Sequence, residues 1–149
     1  MMMDLAKSIE TIEAGYDFLL AYAAQGRPAQ AETGPGPHAR PTLQGMSDAA
    51  KAIASCLSAN PDTFEQIIIE DCRKSGAALD FVLAQESIGS EMVDNLNASI
   101  HVRALLTDLF LYSEALNPLD TESMTSGEKR QSEPTLAYEA NRGINKDNP

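Results

Sequence analysis

Arg103 stands in the middle of an apolar stripe, between Leu96 and Ile100 on one side and Leu106 and Phe110 on the other. Asp71 holds the matching place in the preceding apolar segment, among Ile67, Ile68 and Ala78. A lone charge on a buried face is costly, and an opposite charge within hydrogen-bond range is the ordinary remedy. If the two segments form an antiparallel helical hairpin turning near Ser87, then Phe64 meets Phe110, Ile68 meets Leu106, Ala78 meets Leu96 and Val82 meets Met92. The polar interruptions then coincide, with Asp71 opposite Arg103 and Ser75 opposite Ser99. Asp71, Ser75, Ser99 and Arg103 are therefore expected to form one polar layer. Its first reading is an ion pair that fixes the register of the hairpin. Its second is a ligand site, in which Arg103, with Ser99 and Thr107 a turn away, holds an anionic ligand or a partner's carboxylate.

Other chemistry is thinly represented. His38 and His101 are the only histidines. The residue three before His101 is Ala98, so the Glu-x-x-His pattern of di-iron bundles is missing and His101 reads as an ordinary exposed histidine. Cys56 and Cys72 do not form a Cys-x-x-Cys pair and read as small buried apolar side chains. Glycine-rich phosphate loops and nucleophile elbows do not occur. No cofactor and no metal are expected, and the chain does not read as an enzyme.

Composition narrows the partners. The 149 residues carry a net charge of −11, which argues against a nucleic-acid groove or an anionic membrane surface. No apolar run approaches the roughly 18 residues that span a bilayer. The first residues, MMMDLAKSIE, lack the basic and apolar regions of a signal peptide, so a reducing cytoplasm is the expected location.

The elements that must position the polar layer are helices. Leu5, Ile9, Ile12, Tyr16, Leu19 and Ala23 recur at steps of three and four, predicting a helix from Asp4 to Gln25 that stops at Gly26. Leu43, Met46, Ala50, Ile53 and Leu57 predict a second, near Leu43 to Ala59. In NPDTFE, Asp62 and Glu65 form a capping-box pattern that starts a third helix, running to about Gln85. A fourth follows ESIGSE, where Ser87 or Ser90 can cap, and ends near Pro118. The expected fold is all-α, an antiparallel four-helix bundle over residues 3–116 with a long loop after its first helix. Residues 27–42, rich in proline and glycine, read as a mobile linker inside it, and residues 117–149 as a disordered acidic tail, with too few apolar residues to offset ordering.

The first helix carries a second stripe, Thr11, Gly15, Phe18 and Tyr22, about 100° from the first. One reading is a core helix between two neighbours; the other is an interaction face, such as a homodimer seam. The functional expectation is a non-catalytic helical protein acting through protein–protein contacts as an adaptor, small regulator or assembly factor, with a protein partner or a second copy. The alternative is a bundle that binds a small anionic ligand or metal around Arg103.

Overall fold

The computed structural model describes residues 2–28 and 36–116, with side chains from Leu5 onward; the predicted tail lies outside them. The described residues form five helices and no strand: α1 (Met2–Ala24), α2 (Ala39–Leu57), α3 (Thr63–Leu83), α4 (Ser90–Ala98) and α5 (Ile100–Leu116). The chain divides into a unit of residues 1–112, which holds the core, and a unit of residues 113–149, described only where it continues as helix to Leu116.

Helix α1 buries Leu5, Ile9, Ile12, Leu19 and Tyr22, and ends where Gly26 takes a positive φ of 62°. Its path against α2 depends on Gly15. A Cβ there would lie 2.5 Å from Met46 Cγ, so any larger residue on that position would have to displace the Met46 side chain.

Helix α2 starts four residues before the predicted Leu43, which shortens the expected linker. Pro41 is the third residue of its first turn, where the missing N–H would have had no helical acceptor. Ala39, Leu43, Met46, Ala49, Ala50, Ile53 and Leu57 are buried against α1 and α3. Helix α3 runs antiparallel to α2: Asp80 accepts from Ser47 Oγ at 2.6 Å, and Arg40 reaches the carbonyls of Leu83, Gln85 and Glu86 beyond the other helix end. One side chain from the supposed linker thus satisfies the last carbonyl of α3, that of Leu83, and two carbonyls of the turn that follows. At its start α3 has the predicted capping box, with Glu65 N–H donating to Asp62 at 2.8 Å and Asp62 N–H donating to Glu65 at 3.0 Å.

The predicted fourth helix is two helices. Ser99 adopts an extended backbone, ψ 140°, between α4 and α5. Asn97 and Ser99 are residues whose side chains compete with helical hydrogen bonds, and they flank the break. Past it the buried stripe changes phase. α5 buries Val102, Leu105 and Leu109, whereas Ile100 and Phe110 of the expected stripe are 74% and 54% exposed.

Candidate functional site

The phase change rearranges the predicted polar layer. Helices α3 and α5 run antiparallel, but the carboxyl beside Asp71 is that of Asp108, about one turn beyond Arg103, while Arg103 itself is exposed and has no ion-pair partner among the described residues. The expected Asp71–Arg103 pair is not formed, because the break at Ser99 turns Arg103 away from α3. Ser75 is buried, and its hydroxyl donates to the His101 carbonyl at 2.8 Å, which fixes the start of α5 on α3. The Ser99 hydroxyl is buried and finds no partner among the described residues. The four residues therefore do not converge around Arg103.

What the seam holds instead is a pair of half-buried carboxyls. Asp108 Oδ2 is sealed from solvent, and among the described residues no N–H or O–H reaches it. Two carboxylates at hydrogen-bond range cannot both stay charged, and one shared proton relieves them. The Asp108 carboxyl is accordingly pushed up to about 7, by burial first and then by the hydrogen bond to Asp71 and its charge. Such a pair can store and release a proton near neutrality. It also presents negative charge, which an anionic ligand would avoid.

Neighbouring groups are quiet. The Cys72 thiol is pushed up to about 12 by burial and by the charges of Asp71 and Asp108, so it stays protonated and is a poor nucleophile. Both cysteines are unpaired. At the far end of the seam the Tyr112 hydroxyl donates to Glu65 Oε2 at 2.6 Å, and burial followed by this bond holds the phenol above its ordinary range. His101 is exposed, and among the described residues no group of three His, Cys, Asp or Glu side chains is arranged to hold a metal ion. No described helix is long and apolar enough to cross a membrane.

The second predicted stripe of α1 is largely engaged inside the chain. Gly15 is packed on Met46, and Tyr22 is 1% exposed, with its hydroxyl donating to the Ile88 carbonyl at 3.3 Å. Phe18 is half-buried and stacks on Tyr22 with ring centres 6.3 Å apart, and Thr11 borders a shallow groove with Gly45, Asp48 and Ala49. A helix with neighbours on two sides accounts for both stripes.

Two features escaped the sequence reading. The first is a polar clasp between the end of α1 and the start of α4. Ser90 Oγ donates to the Tyr22 carbonyl at 2.8 Å and accepts the Arg27 N–H at 2.7 Å, while Ser90 N–H donates to the Arg27 carbonyl at 2.8 Å. The expected capping role of Ser90 is not used; Gly89 occupies that position. The Arg27 guanidinium lies 5.7 Å from the Tyr22 ring centre, and Gly36, at φ 111°, leaves room for it where a Cβ would come within 2.8 Å. The signal was present in the type of Ser90, but a partner 63 residues away is invisible to local patterns.

The second feature is the outward face of α5. Ile100, Arg103, Thr107, Phe110 and Leu111 are all exposed, and Leu111 is 61% exposed. A helix this apolar on both sides is ordinarily covered on both. Compared with protein family models, with curated proteins and with solved structures, the chain matches none of them.

Proposed function

We propose that this chain is a non-catalytic helical protein that works through protein–protein contacts, as an adaptor, small regulator or assembly factor, and that the outward face of α5 is its contact surface. The observation that carries the reading is the double apolar character of α5, which buries Val102, Leu105 and Leu109 yet exposes Ile100, Phe110 and Leu111. Scattered apolar residues on a surface need no explanation, whereas several large ones on one helix face mark a contact site. Aromatic and aliphatic anchors beside an arginine are also the composition of interface cores. Helices α1, α2, α3 and the broken α4–α5 rod are read as the four arms of an antiparallel bundle that presents this face. Two unpaired cysteines fit a reducing cytoplasm.

The test is native mass spectrometry of the chain isolated gently from its own cells, beside the variant Phe110→Ser/Leu111→Ser. A protein held at fixed stoichiometry by the parent and lost from the variant supports the reading. A bound small molecule in place of a protein, or a partner the variant retains, overturns it.

A further inference from the structure

The same face carries its charges in a polar order. On α3, the exposed Lys74 lies beside Ser75, which bonds the start of α5, whereas the exposed Glu70 lies midway between Ser75 and Glu65, which accepts from Tyr112 further along. Lys74 therefore shares the height of Arg103, and Glu70 that of Thr107 to Phe110. Ile67, 44% exposed and lying between Asp71 and Glu65, falls at the height of Phe110 and Leu111. The outer surface of the α3/α5 seam thus runs from a basic end, Lys74 and Arg103, to an acidic end at Glu70, with the apolar side chains along it.

We infer that this surface docks a second copy of the chain, seam against seam and antiparallel, about a two-fold axis. Rotation about that axis brings the basic end of each copy over the acidic end of the other, so that Arg103 and Lys74 of one face Glu70 of its partner. An isologous contact demands this self-complementarity of one patch. Elsewhere an acidic chain of net charge −11 repels its own kind, and Arg103 offers a cation with no ion-pair partner among the described residues on an apolar face. On either side of these charges, Phe110, Leu111 and Ile67 of one copy meet Ile100 of the other. The inference rests on the contact reading of α5 and specifies its occupant.

Sedimentation of the purified full chain across a concentration series tests it. The expected species is twice the 16.0 kDa chain mass. Phe110→Ser/Leu111→Ser should weaken the dimer by at least about tenfold with unchanged helical circular dichroism, as loss of large apolar anchors does. Arg103→Glu and Glu70→Lys should each weaken it, and the two together should recover part of the loss, because the exchange restores an opposite-charge pair between positions 103 and 70 while Lys74 is left facing a cation. A dimer indifferent to all three changes, or a double variant weaker than either single one, overturns the antiparallel seam. A chain that stays monomeric overturns the second copy altogether. In that case a different protein lost with Phe110→Ser/Leu111→Ser in the native spectra leaves the contact reading standing, and no such protein removes both.

Discussion

The two junctions through which the C-terminal half meets the rest of the core are built in opposite ways. At the α1/α4 clasp each polar group of Ser90 has a partner, and Tyr22 and Arg27 are held by them. Around the α4/α5 break and the α3/α5 seam, polar atoms are buried with no partner among the described residues: both amide atoms of Asn97, the Ser99 hydroxyl and Asp108 Oδ2. A satisfied buried network rigidifies and specifies its surroundings, while a partly satisfied one costs stability. The clasp therefore reads as the fixed point of the fold, and the seam as the place where stability has been given up. It is on the seam side that α5 also leaves its apolar face uncovered.

This contrast can be broken by substitution. Ser90→Ala should have the largest effect, since it strands the Arg27 N–H and leaves the buried Tyr22 carbonyl only the Gln25 N–H; a loss of about 1–3 kcal/mol in urea unfolding is expected. A loss near zero would mean that the clasp does not fix the fold. Asp108→Asn should act in the other direction, and with a pH signature. Folded Asp108 keeps its proton up to about 7, whereas an aspartate in the unfolded chain releases it near about 3.9. Between those values the folded state binds more protons, so stability falls as pH rises through the window and levels off above it. The asparagine variant, which still offers a donor to Asp71, should exceed the parent at pH 8 by on the order of 1 kcal/mol once partial exposure is allowed for. The gain should fade towards pH 4, as thermal melts at both pH values would report. Asn97→Leu sharpens the comparison with the smallest change. Replacing an unpaired buried amide by an apolar group of similar size should be neutral or stabilising by under about 1 kcal/mol. A clear destabilisation would show that the Asn97 amide is paired in solution.

Local signals were legible in the chain and distant ones were not. The capping box at Asp62 and Glu65 and the stop at Gly26 are decided by residues within a few positions of each other, and they form as read. Helix α5 was ambiguous for a physical reason. Ile100, Leu106 and Phe110 make one acceptable stripe and Val102, Leu105 and Leu109 another, and periodicity has no means of choosing between two stripes on one helix. The choice was made by the break at Ser99. Asp71 was singled out as a charge on an apolar side and matched with Arg103, so an opposite-charge pair was expected where the neighbour is a second carboxyl, that of Asp108. Arg40 was lost in a proline-rich stretch read as linker, although Pro41 is compatible with a first helical turn.

The clasp also bears on the order in which the chain folds. Ser90 and Arg27 close a loop that contains all of α2 and α3, and the entropy needed to close a loop rises with the logarithm of its length. Pairing α2 with α3 first, through contacts such as Arg40 with Leu83 and Ser47 with Asp80, draws the ends of that loop together and shortens the chain left to be closed. The route of least entropic resistance runs from the central hairpin outward, with α1 and α4 docking late and locking in one step.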